Sequence, residues 1–412
     1  MSIRPDAITG NVAAEQVFLG FLDSPADDEP IAQYHWLHEH APVFTTTTGM
    51  VVLTRYDDVD LALRHRALGR GDESVQHLTD LPPQLVEPVM ALWKRTMVFA
   101  NPPLHTRMRR PVAAAFTPRH VEELRARIVT RIERLLDELT GGSEVDWVRA
   151  FASPLGTGVV GDMLGVPEPD RPELARLSPE SMKVFDPMTA STDLPAAAEA
   201  VIDMADYFGD LVDDRRREPG PDVVSRLAGA LDDGSLERIE VVAASANLLN
   251  AGSDTLVNLL SNAMYALLTN PGQLDALRDL PPALLPRAVE ELARWDPPLN
   301  LNPRTALEPC TIAGVDLTPG QIVIGVQGAA NRDPSHYTDP DRLDLARDEG
   351  PSLSFGGGVH YCLGAHLGRL VLGEVLRVLG ATGTTVAAAG TARRRPGHNL
   401  RGFQYLPVTL TR

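Results

Sequence analysis

The chain has 412 residues, of which 43% are hydrophobic and 23% charged, a composition that predicts a globular protein with a substantial core. Its 38 basic and 55 acidic side chains give a net charge of −17, which argues against nucleic-acid binding because phosphate contacts need an excess of Lys and Arg. The only two cysteines, Cys310 and Cys362, exclude a disulfide scaffold and a four-cysteine zinc site. The N-terminal residues lack the apolar core of a signal peptide, and no long apolar run is present. We therefore expect a cytoplasmic protein without a membrane span.

Helical signals dominate the chain. Thr117 and Pro118 are typical of an N-cap followed by a first-turn proline, and apolar residues then recur at three- and four-residue steps as far as Leu139. The same periodicity predicts further helices over 196–217, 238–269, 283–295 and 363–379. The helix over 238–269 is apolar nearly all round its middle, which indicates burial through the centre of the protein.

Strand signals are fewer and shorter. Segments rich in β-branched residues predict strands over 51–53, 311–313, 322–326 and 406–410. The 33 glycines and 34 prolines predict extensive loops. Because no repeat or linker divides the sequence, we expect one domain over 1–412, mainly α with small β-sheets. It would have a smaller β-rich part, a larger helical part and no reductase domain.

The clearest chemical signal is the segment Phe-Gly-Gly-Gly-Val-His-Tyr-Cys-Leu-Gly, which ends at Gly364. A glycine-rich turn leads into Cys362 directly before a predicted helix, whose N-terminal amides and dipole stabilise a thiolate. Gly358 and Gly364 would let a flat ligand approach the backbone. From these residues alone, a buried structural cysteine and a zinc site of His360, Cys362 and His366 stay open as alternatives.

The segment as a whole resembles the haem-binding signature of the cytochrome P450 family, with Phe355, Gly358, His360, Cys362 and Gly364 at its fixed positions. The resemblance implies that Cys362 is the axial ligand of the iron of haem b, and that the other four residues contact the cofactor. It also implies the cytochrome P450 fold, with the haem buried between the long central helix and the cysteine loop.

The middle of the long helix resembles the oxygen-binding groove of the same family. By this resemblance Ala251 and Gly252 lie against the cofactor, and Gly252 opens room for a diatomic ligand. Asp254 and Thr255 would be catalytic, the acid delivering a proton and the hydroxyl relaying it. Asn250 stands where an apolar residue is usual, and we expect its amide to bond Asp254 one turn further on.

Four side chains resemble the family's donors to the haem propionates. His105 and Arg109 are four residues apart and so share one face of a helix, and two cations facing one way suit two carboxylates. Arg304 and His360 match the remaining donors.

Glu291 and Arg294 resemble the family's Glu-x-x-Arg pair. By itself, a pair at this spacing is most often a solvated surface pair. The resemblance implies instead a buried structural pair that holds the loop beside the haem.

The resemblance implies a haem-dependent monooxygenase that activates O2 to hydroxylate or epoxidise a small to medium organic molecule, in secondary metabolism. Because the dinucleotide-binding fingerprint is absent, we expect electrons from a separate ferredoxin and ferredoxin reductase, docking on Arg107, Arg110 and Arg369. A haem peroxygenase using H2O2 and a non-enzymatic haem sensor are the alternatives, and the pair Asp254 and Thr255 disfavours both.

The sequence does not identify the substrate. We expect substrate contacts from Asn247, Asn250 and Leu301, and from the segments 69–99 and 178–191.

Overall fold

The computed structural model describes residues 5–23, 29–71, 78, 81–185, 189–397 and 399–412. The chain divides into two compact units. The first unit is formed within Met1–Gly71, Ile132–Val148 and Asn258–Arg412, and the second within Asp72–Arg131 and Arg149–Val257.

Most of the described chain is helical. In chain order the helices are α1 (Pro5–Asp23), α2 (Ile31–His40), α3 (Tyr56–Arg64), α4 (Pro83–Trp93), α5 (Leu104–Ala113), α6 (Pro118–Glu123), α7 (Arg125–Leu139), α8 (Ser153–Leu164), α9 (Arg171–Met182), α10 (Leu194–Arg217), α11 (Val223–Asp232), α12 (Arg238–Thr269), α13 (Gln273–Ala276), α14 (Leu285–Trp295), α15 (Gln327–Ala330) and α16 (Ala365–Thr382). The chain passes from one unit to the other at four places, two of which fall within α7 and α12.

The named strands all belong to the first unit. They are β1 (Val43–Thr45), β2 (Val51–Leu53), β3 (Leu68–Gly69), β4 (Glu144–Asp146), β5 (Leu301–Ala306), β6 (Cys310–Ile312), β7 (Val315–Leu317), β8 (Ile322–Val326), β9 (Thr385–Ala388), β10 (Arg393–Arg394), β11 (Phe403–Tyr405) and β12 (Pro407–Thr411). One sheet has the strand order β1-β2-β8-β5-β3, in which only β2 and β8 pair in parallel. The others are the antiparallel sheet β4-β12-β9 and the hairpins β6-β7 and β10-β11.

The predicted class, mainly α with small sheets, is confirmed, and α12 has the bounds that its periodicity predicted. The helix predicted to begin at Pro118 is divided at Leu124 into α6 and α7. There the Leu124 N–H donates to the Val121 carbonyl oxygen, three residues back, at 3.1 Å, so the last turn of α6 tightens and the helix is interrupted. Across the described ranges, no helix is both long and apolar enough to cross a bilayer.

Close packing of α8 on α12 in the second unit depends on two glycines. A Cβ added to Gly156 would lie 3.0 Å from Cγ2 of Val257, and one added to Gly252 would lie 3.1 Å from Cγ2 of Val160. Because Cβ contacts this short are rarely tolerated in packed interiors, glycine at both positions lets the two helix backbones approach each other.

A buried ion-pair network around Asp296 joins distant segments of the first unit. Arg401 and Arg394 each place a guanidinium nitrogen 2.8 Å from a carboxylate oxygen of Asp296, and each also lies 2.6 Å from a Glu29 carboxylate oxygen. Burial raises the pKa of Asp296, but the two guanidinium charges outweigh burial and hold the pKa below its ordinary value. The network therefore contributes to stability as long as Asp296 is ionised.

The Asp296 network predicts a pH-dependent effect for Asp296→Asn. At pH 7 the variant leaves two buried guanidiniums short of a counter-charge, so we expect the free energy of unfolding to fall by about 3 kcal/mol. A carboxyl whose pKa is lowered by folding stabilises the protein above its unfolded pKa of about 3.9 and loses that contribution as the pH falls through the lower, folded value. Urea unfolding at pH 7 and at pH 3 should therefore show the variant approaching wild type in acid. An equal loss of unfolding free energy at pH 7 and at pH 3 would contradict the stabilising role of the ionised Asp296.

Candidate active site

Cys362 closes a loop of the first unit and is exposed. The loop contains two 3-10 turns, Leu353–Phe355 and Gly358–His360, and α16 begins three residues after the cysteine. The Cys362 N–H donates to the Phe355 carbonyl oxygen at 2.9 Å, which ties the end of the loop to its first turn. The thiol is thus presented, accessible, just before the N-terminus of a long helix, where the dipole favours an anion.

The two glycines predicted to admit a flat ligand have different surroundings. Gly358 has a φ of +63°, and a Cβ there would collide with the Leu63 carbonyl oxygen of α3. This glycine is required because the loop backbone rests directly on α3. Around a Cβ built on Gly364 there is no atom within 4 Å. Gly364 therefore leaves open space two residues after Cys362.

Glu291 and Arg294 of α14 form a buried bidentate ion pair. Arg294 Nε donates to Glu291 Oε2 at 2.7 Å and Nη2 donates to Oε1 at 2.9 Å, and both side chains are 2% exposed or less. Arg347, which was not predicted from the sequence, adds a second guanidinium with Nε 3.1 Å from Glu291 Oε2. One carboxylate thus neutralises two buried cations, and its removal leaves Arg294 uncompensated and Arg347 with Glu349 as its remaining acidic partner.

Asn331 connects this ion cluster to the cysteine loop. Arg294 Nη1 donates to the Asn331 carbonyl oxygen at 2.7 Å. The Asn331 side chain accepts from the Leu353 N–H at 2.8 Å and donates to Ser354 Oγ at 2.9 Å. The first turn of the loop is therefore linked to Arg294 of α14 through the hydrogen bonds of Asn331.

Two arginines, Arg304 and Arg70, lie next to each other in the first unit. Arg304 of β5 is 3% exposed and donates to the Pro303 carbonyl oxygen at 2.9 Å. Arg70, directly after β3, donates to the same oxygen at 2.9 Å. Burial lowers the pKa of Arg70 to about 10, and burial together with the charge of Arg70 holds the pKa of Arg304 well below its ordinary value. Two cations so close together repel each other, and a negative charge beside them would be stabilising.

Arg70 was not predicted, because its nearness to Arg304 arises from strand pairing across more than 230 residues. The register Gly69↔Thr305 between β3 and β5 brings the two arginines together. Of the other predicted propionate donors, His360 is half-buried within the cysteine loop. His105 and Arg109 lie one turn apart on α5 of the second unit, with His105 buried and Arg109 half-buried.

The predicted oxygen-binding groove lies on α12 of the second unit. Asp254 is buried, and the Thr255 hydroxyl donates to the Ala251 carbonyl oxygen at 2.5 Å. Gly252 does not have the predicted environment, because its missing Cβ faces the two methyl groups of Val160 on α8. Helix packing, rather than space for a ligand, explains why this position is a glycine.

The predicted bond from Asn250 to Asp254 is wrong. Asn250 Nδ2 instead donates to Ser181 Oγ of α9 at 3.0 Å, and the Ser181 hydroxyl donates to the Ser178 carbonyl oxygen at 2.9 Å. Periodicity within α12 could not reveal this partner, because it comes from another helix. Asn247 and Asn250 both line a mainly apolar cavity in the second unit.

Leu301, predicted as a substrate contact, is half-buried at the start of β5 and packs on an apolar cluster of the first unit. Within the predicted substrate segments, residues 72–77, 79, 80 and 186–188 lie outside the described residues. In the part of the chain that is described, His, Cys, Asp and Glu side chains form no group of three suited to a metal ion, which disfavours the zinc alternative.

Two of the three arginines predicted to form a docking patch have internal acidic partners. Arg107 pairs with Glu240, and its Nη1 donates to the Ser235 carbonyl oxygen at 3.1 Å. Arg369 pairs with Glu290, and its guanidinium lies 4.1 Å from the centre of the Phe355 ring. Arg369 therefore supports the cysteine loop.

The third arginine, Arg110, differs from these two. It is exposed, and no acidic side chain within the described ranges pairs with it. Arg110 is thus the arginine of the three whose charge is available at the surface.

Comparison with known proteins gives consistent matches. A family model described as Cytochrome P450 matches residues 196–378. The chain is 34% identical to cytochrome P450 107B1 of Saccharopolyspora erythraea, over 95% of this chain and 97% of the relative. It is 39% identical to 6-deoxyerythronolide B hydroxylase of the same organism, over 79% of this chain and 80% of the relative. The solved structure of P450BioI in complex with hexadec-9Z-enoic acid ligated acyl carrier protein is similar with a TM-score of 0.85 and 31% identity, covering 92% of this chain and 98% of that one.

The ion cluster on α14 predicts a large effect for Glu291→Gln. The neutral amide leaves Arg294 buried without a counter-charge and Arg347 with Glu349 alone. We therefore expect the free energy of unfolding to fall by about 3–5 kcal/mol, with loss of bound haem as the cysteine loop loosens. Urea unfolding and the haem content of the purified protein measure the two effects.

Glu173→Gln is the matched control. Glu173 and Arg176 form an equally bidentate pair at the same spacing, but at the surface. We expect little measurable change for this variant. Equal losses of unfolding free energy and of bound haem in the two variants would show that burial does not account for the effect of Glu291→Gln.

Proposed function

Because the chain belongs to the cytochrome P450 family, we propose that this monooxygenase hydroxylates or epoxidises a small to medium organic molecule of secondary metabolism. The observation that carries the proposal is the cysteine loop itself. It presents an accessible Cys362 at a helix start, with open space at Gly364 for a flat cofactor. The named activity of the related 6-deoxyerythronolide B hydroxylase supports the reaction class.

Haem iron is the cofactor that the family implies, and we propose that it is haem b. When bound, a haem with a thiolate ligand activates dioxygen, since the thiolate donates electron density and favours O–O cleavage. Cys362 would hold the iron. Arg304 and Arg70 would bind a propionate carboxylate, which relieves their mutual repulsion, and His360, His105 and Arg109 would serve as further donors.

Asp254 and Thr255 would supply protons. Asp254 is buried in α12, which shields its carboxyl from bulk water, and Thr255 Oγ1 is fixed in orientation by its bond to the Ala251 carbonyl. A hydroxyl can accept a proton on its oxygen while it releases another, so Thr255 can pass on what Asp254 delivers.

Bacterial members of the family typically take electrons from separate redox partners. We propose a ferredoxin and a ferredoxin reductase for this chain, in the cytoplasm. Arg110 supports the proposal as an exposed cation on a protein of net charge −17, since an acidic ferredoxin needs a local basic contact.

Cys362→Ser tests the proposed ligation. The wild-type protein should bind one haem and show the red-shifted carbon monoxide band of a reduced, thiolate-ligated haem. We expect the variant to lose that band, because a serine hydroxyl does not replace the thiolate. Cys310→Ser is the control and should leave the spectrum unchanged. A variant at Cys362 that kept the band would refute the assignment.

Asp254→Asn and Thr255→Ala test proton delivery. We expect both variants to retain haem, while the rate of coupled turnover falls by about 10²–10⁴-fold, a typical contribution of general acid catalysis. Reducing equivalents should then drain to hydrogen peroxide or water. Hydrogen peroxide released per NADH consumed, with a ferredoxin and its reductase supplied, measures the coupling.

Ser253→Ala provides the matched control for the threonine. Its hydroxyl also donates to a carbonyl four residues back, that of Leu249, at 2.5 Å, and is also buried in α12. We expect this variant to couple as wild type does. Normal coupling in Asp254→Asn and Thr255→Ala would place the proton path elsewhere, and turnover with H2O2 alone would identify a peroxygenase.

A further inference from the structure

Arg369 of α16 contacts three separate parts of the first unit. Its Nε donates to Glu290 Oε1 of α14, and its Nη1 donates to the Tyr361 hydroxyl oxygen at 3.0 Å. Its guanidinium also lies 4.1 Å from the centre of the Phe355 ring, within the range of a cation–π contact. The Arg369 side chain is 26% exposed, so these contacts are partly shielded from water.

Phe355 and Tyr361 both restrict where Cys362 can lie. The Phe355 carbonyl oxygen accepts from the Cys362 N–H at 2.9 Å, and Tyr361 directly precedes the cysteine in the chain. The Phe355 ring also rests on α16, because a Cβ built on Gly368 would lie 3.6 Å from its Cε1, an ordinary van der Waals separation. With one planar group, Arg369 therefore contacts the residue that is hydrogen-bonded to Cys362 and the residue that is bonded to it covalently.

The ion pair of Arg369 is not arranged to maximise its own hydrogen bonding. A guanidinium can engage both oxygens of a carboxylate side by side, as Arg294 does with Glu291. Glu290 Oε1 accepts from Arg369, whereas Glu290 Oε2 is buried and has no hydrogen-bond partner among the described residues. A buried carboxylate oxygen without a donor is unfavourable. The guanidinium thus forgoes a second bond to Glu290 in an orientation that reaches the cysteine loop.

We propose that Arg369 is a positioning residue for the haem ligand: by holding Phe355 and Tyr361 together, it keeps Cys362 in the place from which it binds the iron. The inference rests on the proposed function, because ligation by Cys362 is part of that function. It differs from the docking role expected from the sequence, for which only the charge of Arg369 would matter.

The planar shape of arginine separates the two roles. In Arg369→Lys the ammonium group carries the same charge and can keep the pair with Glu290. It lacks the flat, forked group that covers a ring and donates to a second partner in the same plane. The variant should therefore preserve a docking charge and weaken the contacts with the loop. Tyr361→Phe removes only the hydroxyl that accepts from Arg369 and keeps the ring.

Retention of the thiolate ligand by the haem-loaded full chain measures the effect. Each protein is reduced with dithionite under carbon monoxide, so that no protein partner takes part, and decay of the red-shifted band is followed at constant temperature and pH. We expect the band to decay about three- to tenfold faster in Tyr361→Phe, the range of one net hydrogen bond. Arg369→Lys should decay about tenfold faster or more, because it also loses the contact with the Phe355 ring.

Two variants elsewhere in the first unit are matched controls. Arg377→Lys makes the same exchange on the same helix, at an arginine whose Nε donates to Glu374 Oε2 at 2.6 Å. Tyr405→Phe removes a hydroxyl of β11 that donates to Glu144 Oε1 at 2.8 Å. Both should keep the wild-type decay rate. Urea unfolding of every variant separates loss of the ligand from loss of overall stability, and we expect the unfolding midpoint of Tyr361→Phe to stay near that of wild type.

A wild-type decay rate in Arg369→Lys would overturn the inference, as would an equal acceleration in Arg377→Lys. Faster decay confined to variants whose unfolding midpoint falls in proportion would also overturn it, because a general loosening would then be the cause. If Arg369→Lys fails to fold, Tyr361→Phe decides, since a wild-type rate there has the same meaning.

The same spectra distinguish this inference from the proposed function. A wild-type protein without the red-shifted band refutes ligation by Cys362, and with it the proposed function. A wild-type protein with a stable band that neither loop variant weakens refutes the role of Arg369 and leaves the proposed function standing.

Discussion

The buried carboxylate of Glu291 is the constraint on which the cysteine loop depends. It neutralises Arg294 and Arg347, and Arg294 uses its remaining donors on the carbonyl oxygens of Asn331 and Pro340. Asn331 then binds the first turn of the loop that ends at Cys362. A cluster of this kind contributes little net stability over an apolar core, but it fails as a unit when one charge is removed. Its role here is geometric, because it fixes the backbone from which the thiol is presented.

Burying charge has a second consequence at the proposed cofactor site. Burial, together with the charge of Arg70, lowers the pKa of Arg304, and the hydrogen bonds of Arg304 run to the neutral oxygens of Asn302 and Pro303. The Glu291 cluster contains its own acid, whereas we propose that a carboxylate of the cofactor supplies the counter-charge to Arg304. Arginine thus serves two purposes in this protein. In the Glu291 cluster it pairs with an acid of the protein and holds the structure together, and at Arg304 we propose that it pairs with an acid of the cofactor.

Local patterns predicted those parts of the fold that local forces determine. The apolar character of α12, the helix after Cys362 and the glycine-rich turn before it could all be read from residues close together in sequence. The roles of Arg70, Arg347 and Ser181 could not, because each acts on a partner brought near by the tertiary fold. The same reason explains why Gly252, Arg369 and Asn250 have other neighbours than expected. The residue type shows which kinds of contact a residue can make, and the packing of the fold determines which neighbour it contacts.

The contact between Gly358 and the Leu63 carbonyl has a consequence for biosynthesis. The loop that ends at Cys362 rests on α3, a helix made almost 300 residues earlier, and Arg394 reaches back 365 residues to Glu29. Contacts of such separation form late, since the entropy of closing the intervening chain must be overcome first. During synthesis, α3 and Glu29 therefore lack these partners until Gly358 and Arg394 have left the ribosome. The loop that would hold the cofactor reaches its final position only when most of the chain has been made.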